Sequence, residues 1–411
     1  MPGSITRENN PSQRAHDRPV LLYSLVYLDE GPEVTVGRAD VDGYAVLPAE
    51  GANLLRRLEE GLTPDEAAGW YEQAYGEHVD IDDFLDGLGD LGFLRDPGEA
   101  AHLAPPVRWA RLGGVVFSPF GGGGLAAALI ACVIVMVRSP ELVPSYHDLF
   151  FTHYMTVLEL VTFLGQLPLL LFHEAAHALA GRRLGLRTRL SVGRRMYYIV
   201  FVTIMDGLVT VPRRKRYVPM LAGMLADLLV TAVLVLVADV TRRTDGGLSP
   251  ASEVALAFAY LTLLRLAWQF FFYLQTDLYY VLVTVLGCVD LQGTARMVLR
   301  DRLRRALRRP VSLDRRTNPH PRDLAAARWY SWLLLVGWIA SIALLIAGVI
   351  PAARGVVLAV GSRFVGSGPH SAAGLADSIA FVLLNLAQLV ILAAIVVRER
   401  RPRPRPGVVG P

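Results

Sequence analysis

Leu171-Phe172-His173-Glu174-Ala175-Ala176-His177 carries the pattern H-E-x-x-H inside an apolar stretch. If that stretch is helical, the i, i+4 spacing sets two imidazoles on one face, where they can grip one zinc ion. Glu174 then lies beside the ion and can take a proton from a water. With nine histidines among 411 residues, the pattern arises by chance in about 0.7% of such chains. Charged and imidazole groups are costly inside an apolar span and are a functional hypothesis by default. The competing reading is two packed histidines beside a glutamate that snorkels to the inner surface.

Catalytic zinc sites use three protein ligands plus water, so one ligand is still to be found. His16, His78, His102 and His320 fall in polar segments, and His147, His153 and His370 on the far side of the apolar runs. A carboxylate within a span fits better. Asp277, in Gln275-Thr276-Asp277-Leu278-Tyr279-Tyr280, closes an apolar run at a depth like that of His173 and His177. Asp227, about ten residues into another run, is the rival ligand, and otherwise suits a supporting or substrate-positioning role. Asp206 lies in the apolar stretch between the run that carries His173 and His177 and the run that carries Asp227.

The elements that must position these groups are apolar and long. The chain is 53% hydrophobic and 19% charged, with mean hydropathy +0.38, which excludes a purely soluble fold. Six runs reach bridging length, near residues 115–137, 155–180, 217–238, 253–277, 329–350 and 377–397, since a bilayer needs about 20 apolar residues. Residues 278–290 are apolar but too short to cross, and are expected to lie at the interface or re-enter. The two cysteines, Cys132 and Cys288, sit in apolar segments and exclude a disulfide scaffold.

The net charge is +4, and Lys215 is the lone lysine among 41 basic residues. With the N-terminus in the cytoplasm, segments 181–216, 292–328 and 398–411 hold 26 Lys/Arg, against 5 in the three outer segments. That asymmetry predicts both termini on the cytoplasmic side of the cell membrane. The tail Arg398–Arg405 reads as a stop and a contact with the lipid surface. Glu159, 14 residues before His173, and Arg265, 12 residues before Asp277, fall at similar depth, roughly 21 and 18 Å from the metal level. They are expected to form an ion pair.

Residues 1–19 are polar, predicting disorder and no cleavable signal peptide. Residues 20–97 read as a small α+β module. Strand-like patterns cover Leu21–Leu28 and Glu33–Leu47, and helical spacing covers Gly51–Glu60. Thr63-Pro64-Asp65-Glu66 is a capping box with proline at the first helical position, and Asp80 can cap a third helix that Gly92 stops. This predicts a winged-helix-like arrangement. Its acidity from 29 to 96 argues against nucleic acid.

The expected whole is a polytopic α-helical membrane protein of about six spans with a small N-terminal α+β domain. The layout is a membrane core over 110–290, a basic cytoplasmic linker over 291–328, a two-helix membrane segment over 329–397 and a basic tail over 398–411.

His173–His177 in an apolar helix, followed by Asp277 in a later one, resembles the site-2 protease family of intramembrane zinc metalloproteases, and in particular the peptide zinc metalloprotease branch. Gln275–Tyr280 is similar to that branch's Gln-x-Asp-Gly-Tyr-Tyr segment, and Ala222–Asp227 to its Ala-Gly-Pro-x-x-acidic stretch. Leu278 stands where the family has Gly, and Met224 where it has Pro. The resemblance covers about 155–290. It implies Zn²⁺ held by His173, His177 and Asp277, Glu174 as general base, and Asp227 and Gln275 in supporting or substrate-positioning roles.

Val36-Gly37-Arg38, Tyr44–Pro48, Gly61–Glu66, Asp80–Phe84 and Leu91-Gly92-Phe93 resemble the PqqD-like fold. That likeness implies a module that adds a leader peptide of a ribosomally made, modified peptide to its sheet edge. The apolar, β-rich stretch Met196–Val211 is a second strand edge open to a substrate. The expected activity is peptide-bond hydrolysis in leader processing. The alternatives are a protease releasing a membrane-bound regulator, and a non-catalytic export or immunity protein on the same scaffold.

Overall fold

The computed structural model describes residues 18–29, 33–38, 44–96, 107–195, 198–308, 320–344 and 372–400, with Ile346, Ala347, Ile350, Arg354, Leu358 and Gly361 as isolated positions. Residues 1–17 of the expected disordered stretch, the tail from 401, and His16, His102 and His370 lie outside the described residues.

The chain runs β1 (Leu25–Asp29), β2 (Glu33–Arg38), β3 (Tyr44–Pro48), α1 (Ala49–Glu59), α2 (Pro64–Tyr75), α3 (Ile81–Asp90), α4 (Ala110–Val116), α5 (Pro119–Arg138) and α6 (Met155–Arg183). It continues through β4 (Arg187–Arg195), β5 (Tyr198–Asp206), α7 (Arg213–Val240), α8 (Pro250–Trp268), α9 (Asp277–Leu286), α10 (Leu291–Ala306), α11 (Pro321–Leu344) and α12 (Ala372–Arg400). Two compact units result: residues 1–126 with 171–226, and residues 127–170 with 227–411.

In the first unit, β1, β2 and β3 form an antiparallel meander, Leu25 pairing with Arg38 and Glu33 with Pro48. The strand-like pattern over 33–47 is therefore two strands. Residues 39–43 between them lie outside the described residues. Val34 and Val36 of the central strand bury against Leu54, Leu55 and Leu58 of α1, Leu88 of α3 and Phe93. The capping box forms: the Glu66 N–H donates to Thr63 Oγ1, and the Thr63 N–H to the Glu66 carboxylate. Asp80 caps α3 by accepting from the Asp83 N–H.

The same unit holds the end of α6, the β4–β5 hairpin and the start of α7. The hairpin pairs Arg187 with Asp206 and Leu190 with Thr203, so Tyr198–Asp206 of the stretch expected to offer a strand edge is zipped to β4 on one side. A Cβ at Gly181 of α6 would lie 3.0 Å from both Met205 and Thr188, so only a small residue seats the hairpin this closely on the helix. Asp206 closes β5, 3.6 Å from the Arg189 guanidinium.

In the second unit, Ala232, Val235 and Ala238 of α7 pack with Ala255, Leu256 and Ala259 of α8 and Cys132 of α5. Small residues bring the helix backbones close, which is how apolar spans associate. A Cβ at Gly165 would strike the Phe258 ring at 2.1 Å. A second core joins Tyr273 and Leu274 to Leu291 and Ala295 of α10 and Ala327, Tyr330 and Leu334 of α11. The Asp377 carboxylate caps the start of α6, accepting from Met155 N–H and Thr156 N–H at 3.0 Å each.

Among the described residues, five helices are long and apolar enough to cross a membrane: α5, α6, α7, α8 and α11. The count reaches six if α9 and α10, bent by 87° against each other, are one broken span. The apolar stretch at 278–290 is thus part of a bent helical pair. The expected span at 377–397 falls within α12, a helix of 29 residues.

Two boundaries differ from the sequence pattern. The run 253–277 is not one span: α8 stops at Trp268, and Asp277 opens α9. Gln275 takes a left-handed conformation (φ 55°) and Thr276 an extended one, which no continuous helix tolerates. The stretch 291–328, expected as a basic linker, carries helix at both ends. α10 fills 291–306 with Leu291, Ala295 and Leu299 buried, and 321–328 already belong to α11, while 309–319 lie outside the described residues.

Candidate metal centre

His173 and His177 sit two-thirds of the way along α6, one turn apart, and both are buried. His177 Nδ1 lies 2.7 Å from the Pro219 carbonyl of α7. A carbonyl only accepts, so Nδ1 carries the proton and Nε2 keeps its lone pair for the site. His173 Nε2 is 3.2 Å from His177 Nε2. A tetrahedral ion bound at 2.0–2.1 Å separates two ligand nitrogens by about 3.3 Å, so the two rings already stand at coordinating spacing.

Gly223 of α7 explains the room in front of them. A Cβ there would lie 2.3 Å from His177 Nε2 and 2.4 Å from His173 Nε2. Any side chain at 223 would fill the space within bonding reach of both nitrogens. The cradle is present because this residue is glycine.

Glu174 is buried beside the pair. Its Oε2 accepts from the Thr203 hydroxyl of β5 at 2.7 Å, and its backbone carbonyl lies 2.9 Å from the same hydroxyl. β5 thus fixes the carboxylate of the residue between the two histidines.

Asp277 supplies the third group. One ligand atom each from His173, His177 and Asp277 all lie within 4.8 Å of one another, the one such cluster of His, Cys, Asp or Glu among the described residues. Asp277 is the first residue of α9, and its backbone N–H donates to Gln269 Oε1 at 3.0 Å. Two imidazoles and a carboxylate are a borderline-hard donor set that suits zinc, and this group of three can hold a metal ion.

Other sequence candidates fall elsewhere. Asp227 is fully buried, and its carboxylate is gripped by the Arg265 guanidinium at 2.6 and 3.0 Å. Asp227 is therefore outside the metal cluster. Arg265 does not pair with Glu159. Its third bond goes to Gln166 Oε1 at 3.0 Å, while Glu159 accepts from Asn385 and Gln388 of α12 at 3.0 and 2.8 Å. A buried carboxylate needs a charged, two-pronged partner, and amide donors satisfy the partly exposed Glu159. Gln275 occupies the left-handed turn before Asp277, its side chain hydrogen-bonded to Tyr279. His78, His147, His153 and His320 take no part in the cluster.

The sequence reading missed Gln269, Thr203 and Pro219. Thr203 and Pro219 lie far along the chain from the residues they serve, and Gln269 reaches Asp277 across a break between helices, so periodicity gave no signal for them. Gly223 was visible only within a likeness to a family stretch.

No protein-family model, curated protein or solved structure matches this chain.

Proposed function

We propose that this chain is a membrane-embedded zinc metalloendopeptidase of the site-2 protease kind, acting on a leader peptide recognised by its N-terminal PqqD-like, winged-helix-like module. The observation that carries the reading is the convergence of His173, His177 and Asp277, with Glu174 next to one ligand yet outside the cluster and held by Thr203. A metal ligand set and a separately anchored carboxylate are the two halves of such a hydrolase.

When bound, zinc supplies Lewis-acid polarisation of a scissile carbonyl and makes a water acidic near neutrality. His177 offers Nε2 because Pro219 holds its Nδ1 proton. Glu174 takes a proton from water at Oε1, the oxygen that Thr203 does not engage, and returns it to the leaving amine nitrogen. Burial of Glu174 limits bulk water around that transfer. A peptide must arrive unwound, because a helical substrate hides its peptide bonds in its own hydrogen bonds. The exposed apolar side chains Leu190 and Val192 of β4 suit contact with such a strand or with lipid. The excess of basic residues in alternate connecting segments supports cytoplasmic termini.

The test uses the full chain purified in detergent. Elemental analysis should find one zinc per chain, lost in the His173→Ala/His177→Ala double variant. A peptide mixture read by mass spectrometry should be cleaved by the wild type, while Glu174→Ala keeps its zinc and cleaves nothing. Cleavage by Glu174→Ala equal to wild type overturns the enzyme reading.

A further inference from the structure

Asp277 opens α9, where the first N–H groups of a helix have no partner within the helix. Thr276 before it is of the type that normally caps such an end, yet its side chain makes no cap bond. The Thr276 hydroxyl donates instead to the Gln269 backbone carbonyl at 2.6 Å, and the Asp277 N–H donates to Gln269 Oε1 at 3.0 Å. One residue, eight positions back and 6% exposed, thus holds both sides of the peptide that carries the acidic ligand.

The backbone between them is strained. Gln275 has φ 55°, a conformation that costs a non-glycine residue free energy and persists only where its surroundings over-determine it. Those surroundings are tied down by bonds. One turn before Gln269 on α8, Arg265 is anchored by two bonds to Asp227 and one to Gln166.

We propose that Gln269 is a positioning residue for the metal centre, a remote cap that fixes the backbone at Asp277 and so the direction of its carboxylate. The proposal rests on the metal-site reading above. Gln269 touches neither metal nor substrate in this role. It limits the orientations open to a ligand that sits just after the break between α8 and α9.

The test compares Gln269→Met, which keeps the size and removes the acceptor, with Gln269→Glu, which keeps an acceptor oxygen at the same reach. The probes are zinc, titrated against a chelator, and cobalt, read by its visible absorption. Gln269→Met should lose about 10- to 100-fold in zinc affinity, the usual effect of removing an outer partner of a metal ligand, and its cobalt bands should shift and weaken. Gln269→Glu should restore the bands and most of the affinity. Unchanged affinity and bands in Gln269→Met overturn the proposal. If Gln269→Met does not fold, Thr276→Val decides in the same assay: a loss supports the proposal, and wild-type behaviour overturns it. Asp277→Ala separates the two levels. If it binds zinc as the wild type does, the metal-site reading itself fails and the positioning role falls with it.

Discussion

The Asp227 carboxylate and the Arg265 guanidinium face each other with two bonds, at 2.6 and 3.0 Å, between α7 and α8. Asp227 is 0% exposed, so neither charge can be removed alone without stranding the other. Arg265→Leu or Asp227→Asn should each cost about 3–5 kcal/mol, whereas an Asp227→Leu/Arg265→Met double variant should recover most of that loss. Thermal unfolding of the purified protein in detergent measures it. A double variant no more stable than the singles would show that the bond pair is incidental. The charge swap Glu159→Arg/Arg265→Glu should give no rescue, since Glu159 is held by Asn385 and Gln388 instead.

Gly223 is the residue whose change should most cleanly close the metal centre. A methyl group at Gly223 would sit 2.3 and 2.4 Å from the two ring nitrogens. Gly223→Ala must push the imidazoles off their spacing or the α7 backbone off its path, an overpacking cost of about 1–3 kcal/mol. Zinc affinity should fall by roughly tenfold or more. Gly122→Ala is the control, because a Cβ there meets nothing within 4 Å. Elemental analysis of both variants, purified side by side, gives the answer.

The parts of this molecule legible from sequence are those written in local spacing. H-E-x-x-H placed two imidazoles one turn apart because helix geometry fixes i and i+4. The capping box at Thr63–Glu66 and the cap at Asp80 were equally readable, since each donor and acceptor lie three residues apart. Depth along a span was not enough to place Arg265, which bonds Gln166, seven residues beyond Glu159 on α6. Rotation about the helix axis was not legible either. Glu159 was the acid expected for Arg265, and packing turns the guanidinium fork to Asp227 instead. The break at 269–276 was hidden for another reason. Its residues are mostly apolar like the spans around them, and the polar groups freed by the break are met by Gln269, Gln292 and Tyr330, across the break or from later helices. Once the break is known, the left-handed Gln275 and the extended Thr276 account for it.

Thr203 links the β4–β5 hairpin to the proposed chemistry through a single hydroxyl on Glu174 Oε2. Thr203→Val keeps the shape and removes that donor. Cleavage should slow by about 10- to 100-fold while zinc content stays at the wild-type level, because no metal ligand is touched. Thr203→Ser should cleave at close to the wild-type rate. Loss of zinc in Thr203→Val would mean that the hairpin supports the ligands and not the base.

The N-terminal module offers a pH test that is independent of the metal. The Thr63 backbone N–H, and then its hydroxyl contact, hold the Glu66 carboxyl below its ordinary range. A carboxyl depressed in the folded state stabilises the fold above its unfolded pKa, and that contribution is lost as pH falls through the folded value. Protection of the first-turn amides of α2 against hydrogen exchange, corrected for intrinsic rates, should therefore be flat near neutrality and decline below about pH 4. Glu66→Gln should flatten that acid limb. Thr63→Ala should remove about 1 kcal/mol from the cap at all pH values, lowering protection across the whole profile. A Glu66→Gln profile with the same acid decline as the wild type would assign that decline to another group.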